Sequence, residues 1–209
     1  MKSRRPQRKR SMASIIVKCR AMRLFLIIVV LSPTLVAFQN QHEAVKWKLA
    51  DAATVRLSPQ SFPWLPRDII RNLQARGCSI PQEFGNRKPH NVVSGEFITR
   101  GQRDWAVLCS RNRNSSILVF WGGSVHKVSA ISRSPDPGFL QTIDGGGSIG
   151  FSRAIGAVGR DYILKHYHEY GGPKPPSIDH QGIEDAFVQK GSVLHYYHLG
   201  KWLELRGAD

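Results

Sequence analysis

The sequence contains no apolar run as long as a typical membrane-spanning helix needs. Its main hydrophobic stretch begins at Leu24, is interrupted at residues 32–34 and ends at Ala37, so it covers about 15 residues where a span needs about 20. The residues before Leu24 are strongly basic, and residues 1–37 contain no Asp or Glu. A basic segment followed by a short apolar one predicts a signal peptide over residues 1–37, cleaved after Ala37.

Two alternatives for the N-terminus stay open. Leu35 is larger than the small residue usual near a cleavage site, so residues 24–38 could instead stay attached as a membrane anchor. Translation could also start at Met12 or Met22 rather than at Met1. In either case we expect an exported protein, periplasmic or secreted, that meets a membrane only through this segment if it is not cleaved.

Acidic residues are scarce, with 15 Asp and Glu against 30 Lys and Arg. Such an excess would ordinarily suggest a nucleic-acid-binding protein. Residues 1–37, however, hold 9 of the 30 cations, which leaves 21 against 15 and a net charge of +6 for the remainder. Much of the excess therefore belongs to the targeting segment, and we expect no nucleic-acid partner.

Cysteine is rare as well, with three in the chain. Cys19 precedes the apolar run, so it cannot serve as a lipoprotein cysteine, and Cys78 and Cys109 are left in the body of the protein. In an oxidising exported compartment an isolated pair of this kind predicts a disulfide. It would attach the end of a helix to a buried strand.

Periodicity and turn residues indicate an α+β fold with a mainly antiparallel sheet and two short helices. The helices are expected over residues 66–76 and 158–170. Strands are expected over residues 91–98, 104–110, 116–121, 125–131, 192–198 and 201–205, with hairpins joining the second to the third and the last two. Residues 132–150, rich in Ser, Pro and Gly, are expected to form a loop.

This pattern predicts one α+β domain over residues 65–209. Residues 38–64 show no sustained period, and we expect an extended lead-in there.

The segment Gly95–Leu108 resembles one unit of the FG-GAP or VCBS repeats of calcium-binding propeller proteins. Ile98 and Arg100 stand where that family has Asn and Asp, so the oxygen ligands that calcium needs are missing and no calcium is expected. An ion pair of Arg100 with Asp104 or Glu96 is expected to close the turn instead. No second copy is found, which argues against a propeller.

A second resemblance covers most of residues 65–209. The order of residues 78–82, 104–110, 170–176 and 178–183 is similar to that in a family of exported bacterial proteins of unknown function. It implies an exported location and no particular activity.

Histidines concentrate late in the chain, which raises the question of a zinc site. On a helix His166 and its neighbour at 168 point about 200° apart, and on a strand His195 and His198 point to opposite faces. A site would have to be assembled across elements. The candidates for such a ligand or metal cluster are His166, Asp179, His180, His195 and His198.

Other candidates have ordinary structural explanations. Gly150–Ala154 approaches a nucleophile elbow around Ser152, but no strand is expected before it, so we expect Ser152 to cap a helix. Strand aromatics such as Trp121 and Trp202 are expected to pack a core rather than to form a glycan platform.

The sequence therefore favours a non-catalytic exported domain that binds an envelope protein or a glycan and has no cofactor. Two alternatives remain. One is a small metal-dependent hydrolase that uses the late histidines, and the other is an inhibitor of an envelope enzyme that inserts the loop over residues 132–148.

Overall fold

A computed structural model describes residues 41–207 of the chain. The predicted signal peptide or anchor and the alternative starts lie outside them. Within the described residues, no helix combines the length and the apolar character needed to cross a membrane. The chain divides into residues 1–46 and 47–209. Of the first unit, residues 41–46 are described, and they are helical, with Lys46 Nζ 2.8 Å from Glu43 Oε1.

Residues 41–53 are helical (α1). They are followed by the short strand β1 (Arg56–Leu57) and a 3-10 turn (Pro59–Ser61). The expectation of an extended lead-in is therefore wrong for α1. Trp47 and Ala50, which are three residues apart on one helical face, pack against the core of the second unit. This tertiary contact stabilises the helix. The two core-facing residues, Trp47 and Ala50, were too few to reveal a helical period in the sequence.

The helix expected over residues 66–76 is confirmed as α2 (Arg67–Ala75). Ile69 and Leu73, four residues apart, are both fully buried. The helix stops before Gly77, which adopts φ +68° and so takes the left-handed conformation that favours glycine after a helix.

The first large sheet contains the hairpin of the second and third predicted strands. It is also linked to α2, because Cys78, the residue after Gly77, is disulfide-bonded to Cys109 of this sheet, as expected. The two Cα atoms are 5.2 Å apart. The sheet has four antiparallel strands in the order β3 (Val92–Gly95), β4 (Asp104–Arg111), β5 (Asn114–Phe120), β6 (Val128–Pro135).

Both faces of the first sheet are covered by apolar groups. On β4 the side chains of Trp105, Val107 and Cys109 pack with α2, whereas Ala106 and Leu108 point to the opposite side. This alternation explains the unbroken apolar run of β4, since a strand buried on both faces needs apolar residues at every position.

The second large sheet comes from the C-terminal part of the chain. Helix α3 (Arg160–Tyr170) connects its first two strands and covers its outer face, and it confirms the helix expected over residues 158–170. The strand order is β12 (Lys201–Arg206), β11 (Gly191–His198), β10 (Gly182–Phe187), β9 (Arg153–Val158), all antiparallel. The hairpin of β11 and β12 was predicted, whereas β9 and β10 were not.

The expected loop over residues 132–150 is largely β-structure. Strand β6 continues to Pro135, and β7 (Leu140–Ile143) pairs with β8 (Ser148–Phe151). The glycine-rich segment forms only the turn between them, where Gly145 and Gly146 have positive φ. A remaining small sheet pairs β1 with β2 (Ile80–Pro81).

The elements of residues 47–207 stack in four layers: α2, the first sheet, the second sheet and α3. The described chain is therefore broadly α+β and its sheets are antiparallel, as expected. The two large sheets face each other across one apolar core, to which Leu108 and Ile117 contribute from one side and Ile155 and Ile183 from the other. The candidate site lies at one end of this core.

Candidate ligand-binding cleft

Strand alternation brings four ionisable side chains to the inner face of the second sheet. Ile155 and Ile183 belong to the core between the sheets. Residues two positions away on the same strands point the same way, and they are Arg153 on β9 and Asp185 on β10. In the strand pairing, His195 of β11 lies opposite Ile183, and Glu204 of β12 lies opposite His195. Directly paired residues share one face of a sheet, so both side chains are on the inner face as well.

Arg153 and Asp185 form a buried bidentate ion pair. Arg153 Nε donates to Asp185 Oδ1 at 2.8 Å, and Nη2 donates to Oδ2 at 2.7 Å. The Arg153 side chain is fully buried and that of Asp185 is 4 % exposed. Two parallel hydrogen bonds of this kind compensate the loss of water from both charges better than a single contact would.

The remaining donors of Arg153 reach across to the first sheet. Nη1 donates to Ser115 Oγ at 3.0 Å, and Nη2 donates to the carbonyl of Ser132 at 2.6 Å. The Ser132 hydroxyl donates in turn to Asp185. The Phe139 ring lies 4.5 Å from the guanidinium carbon. Arg153 therefore fastens the two sheets together at this end of the core.

Ser132 occupies an irregular position on β6. The pairing of β5 with β6 shifts between Ser115 and Ile117, because β6 carries one extra residue there. Ser132 has φ +52°, a left-handed conformation that costs a non-glycine residue roughly 1–3 kcal/mol. The bulge aims the Ser132 carbonyl at Arg153, and bulges that re-aim a group in this way are common beside functional sites.

The ion pair with Arg153 favours the ionised form of Asp185. Burial by itself would raise its pKa, but Arg153, with help from His195 and Ser132, outweighs burial and holds the pKa well below the usual Asp range. His195 lies behind the pair, with Nε2 3.8 Å from Asp185 Oδ2 and Nδ1 3.5 Å from Glu204 Oε1. Arg153 and Asp185 thus form a fixed pair of opposite charges.

A cleft of about 520 Å³ opens above this ion pair. Its rim carries the exposed cations Arg133, Lys190 and Arg206, and Asp185 is the one carboxylate among the described residues of the lining. We call it the inter-sheet cleft, and it is lined by residues 132–134, Phe139, Asp185, Phe187, 190–193, 206 and 207.

Two features of the rim favour an anion. Asp185 is neutralised by Arg153, so the rim cations are not balanced from below. Among residues 41–207, Arg206 has one ion-pair partner, Glu204, at 3.8 Å, and the Arg206 side chain is 82 % exposed. The Lys190 ammonium lies 4.5 Å from the Phe187 ring centroid, which positions it at the cleft.

Among the described residues, the histidines named as candidates for a metal cluster do not form one. His166 is buried on α3, His180 bonds the carbonyl of the next residue through Nδ1 at 3.1 Å, and His198 ends β11. Asp179 is exposed. Residues 41–207 contain no group of three or more His, Cys, Asp or Glu side chains that could hold a metal ion. Of the predicted candidates, His195 alone lies beside the ion pair.

The expected ion pair of Arg100 is not present. Arg100 is exposed, and none of the ion pairs in the described part of the chain includes it. The turn is closed by buried Asp104 instead, which accepts from the amides of Phe97 and Ile98 at 2.8 and 2.9 Å. Glu96 takes part through its own amide, which donates to Gln181. Several neutral donors satisfy the carboxylate without a cation.

The expected cap at Ser152 is also wrong. Ser152 is fully buried between β8 and β9, and its hydroxyl donates to the carbonyl of Gly150 at 3.3 Å. Residues 153–158 form a strand, so Ser152 precedes a strand rather than a helix. The aromatics behave as expected, because Trp121 packs on Tyr197 with ring centroids 5.0 Å apart and Tyr197 packs on Trp202 at 5.6 Å.

Sequence reasoning missed Arg153, Asp185 and Ser132. A signal was present, since Arg153 and Asp185 each stand two positions from an isoleucine in a segment that can form a strand. A charge on the apolar face of a strand indicates a buried, paired group. Recognising it required the strands β9 and β10, which were not predicted.

The comparisons with known proteins add no relative. No protein-family model, curated protein or solved structure matches the chain.

Proposed function

We propose that the chain is an exported, non-catalytic binding domain whose inter-sheet cleft takes an anionic ligand. The observation that carries the proposal is the lining of the cleft, which includes the exposed cations Arg133, Lys190 and Arg206 and a carboxylate, Asp185, that Arg153 already neutralises. Exposed cations around a cleft attract anions and hold them by charge-assisted hydrogen bonds.

The polar groups of the cleft favour binding over catalysis. The Ser132 hydroxyl donates its proton to Asp185 within a network that also holds Arg153. A nucleophilic serine needs a base positioned to accept its proton, and Asp185 is a poor base because its pKa is depressed. His195, the nearest imidazole to the pair, is 1 % exposed and does not line the cleft.

Export supports an envelope ligand. A protein that carries a signal peptide or an N-terminal anchor meets acidic polysaccharides, acidic proteins and lipid headgroups outside the cytoplasm. The cleft is also large enough for part of such a molecule, since ligand pockets commonly measure roughly 300–1,000 Å³.

Calorimetric titration with polygalacturonate as anion and dextran as neutral control tests the proposal. We expect Arg133→Glu/Arg206→Glu to weaken polygalacturonate binding by at least about tenfold, because two attractive charges become repulsive. Lys127→Glu is the matched control, since Lys127 is exposed and lies outside the cleft. Dextran binding that equals polygalacturonate binding, or an equal loss in the control, would overturn the proposal.

A further inference from the structure

A second, smaller pocket adjoins the inter-sheet cleft. It measures about 180 Å³ and shares the wall formed by Lys190, Gly191, Ser192 and Gly207 with the cleft. Its other side is α3, so we call it the α3 pocket. The helix contributes Tyr162, Lys165, His166, Glu169 and Tyr170.

His166 is the buried polar group of the α3 pocket. It is 4 % exposed, and its Nε2 atom has no hydrogen-bond partner among the described residues. Gly207 packs close to the ring, since a Cβ on that glycine would lie 2.9 Å from His166 Cε1. A buried nitrogen without a partner costs free energy. A ligand hydroxyl would supply the missing hydrogen bond once Gly207, which packs against the Cε1–Nε2 edge of the ring, moves aside.

Two exposed tyrosines flank His166 on the same face of α3. Tyr162, His166 and Tyr170 follow each other at four-residue spacing, and the His166 ring lies 6.4 Å from the first tyrosine ring and 4.9 Å from the second. Tyr162 is 43 % exposed and Tyr170 is 51 % exposed. Large rings left open beside a pocket are typical of binding surfaces.

The Tyr162 ring is held in place before any ligand arrives. Its hydroxyl donates to Glu184 Oε1 at 2.8 Å. That hydrogen bond, together with partial burial and the Glu184 charge, raises the pKa of Tyr162 to about 12. A ring fixed in this way loses little conformational freedom on binding.

We propose that the α3 pocket binds a sugar ring and that one acidic polysaccharide occupies both this pocket and the inter-sheet cleft. This inference rests on the proposed function of the inter-sheet cleft. The C–H faces of a sugar ring pack on Tyr162 and Tyr170, while its hydroxyls bond His166 Nε2. Carboxylates of neighbouring units reach the cations of the cleft. An acidic peptide would use the cleft without the aromatic face.

A pair of polyanions separates the two kinds of ligand. Oligogalacturonate and poly-glutamate of equal charge are titrated into the wild type and Tyr170→Ala. We expect Tyr170→Ala to weaken oligogalacturonate binding by about fivefold through lost ring packing and to leave poly-glutamate binding unchanged. His168→Ala is the matched control, because His168 is exposed on the same helix and does not line the pocket.

The wild type provides a second readout that does not depend on a variant. The His166 imidazole resonances, measured by NMR, are expected to move with oligogalacturonate and to stay in place with poly-glutamate. If Tyr170→Ala affects both polymers equally or neither, while Arg133→Glu/Arg206→Glu abolishes binding of both, the sugar inference is wrong and the anion site stands. If neither polymer binds the wild type, both proposals fail.

Discussion

The two large sheets face one core, but they differ in the charged side chains that they bury. The first sheet is apolar over most of both faces, as Val107 and Leu108 of β4 show, and its buried carboxylate Asp104 is held by backbone amides rather than by a cation. The second is apolar toward α3, but at one end of its inner face it carries Arg153, Asp185 and His195. The cleft opens at this charged end. The first sheet thus contributes mainly apolar side chains to the core, while the second also carries the buried ion pair of the proposed binding site.

Burying charges in a sheet interface is costly unless each group is paired. Arg153 and Asp185 meet this condition through their bidentate pair and through Ser115 and Ser132 of the first sheet. The first sheet is therefore needed to complete the site that the second one carries.

The largest expected effect comes from breaking that pair. Arg153→Met leaves Asp185 buried without a cation, which we expect to lower the free energy of unfolding by about 3–5 kcal/mol. Arg153→Met/Asp185→Leu removes both charges and should recover much of the loss. Denaturant unfolding measures both. Arg71→Met is the control, because its ion pair with Asp68 is exposed and should contribute at most about 1 kcal/mol. A double variant as unstable as the single one would refute this account.

Removing the disulfide is the corresponding stability test for the first sheet. Cys78 and Cys109 are 31 residues apart, so Cys78→Ser/Cys109→Ser should lower the free energy of unfolding by about 3–4 kcal/mol in the chain-entropy model. Addition of reductant to the wild type should produce a similar loss and leave the double variant unchanged. Thiol titration that finds both cysteines free in the purified, oxidised protein would contradict the assignment.

Lowering the pH should reduce the stability that Asp185 contributes at the charged end of the second sheet. The folded-state pKa of Asp185 is depressed, so the stability it contributes is present above the unfolded pKa of about 3.9 and is lost as pH falls further toward the folded pKa. The free energy of unfolding should fall more steeply with acid in the wild type than in Arg153→Met/Asp185→Leu. Denaturant titrations between about pH 5 and about pH 2 measure the difference. Parallel slopes would show that Asp185 makes no such contribution.

The smallest expected effect on stability is that of replacing Arg206, and it distinguishes a binding residue from a residue of the folded core. Arg206 is exposed on the rim of the cleft, so Arg206→Glu should change the free energy of unfolding by less than about 0.5 kcal/mol. The same variant should weaken anion binding. A large loss of stability would mean that the rim cation is part of the folded core rather than of a binding surface.

Most of the first sheet and both α2 and α3 could be predicted, because their signals are local. The apolar run of β4, the four-residue spacing of Ile69 and Leu73, and the turn at Gly77 are each visible within one segment. The disulfide followed from the scarcity of cysteine. Export remains a prediction, since it concerns residues outside the described part of the chain.

Other elements were missed because their signals come from distant residues. Helix α1 is stabilised by the core that Trp47 and Ala50 contact, and the residues of that core are distant in sequence. Strands β7 and β8 have four residues each, too few to show a clear period, and each depends on the other for its backbone hydrogen bonds. The turn at Asp104 is closed by backbone amides, which have no signature in the side-chain pattern.

By itself, the sequence determined the α+β class, the main hairpins, α2 and α3 and the partnership of Cys78 with Cys109, since each depends on local pattern or on elimination. Tertiary structure alone decided the site. Arg153 and Asp185 are 32 residues apart in the chain and Ser132 precedes both. Only the pairing of β10 with β9 and the packing of one sheet on the other bring the three together, because a buried charge is stable only where its partners converge in space.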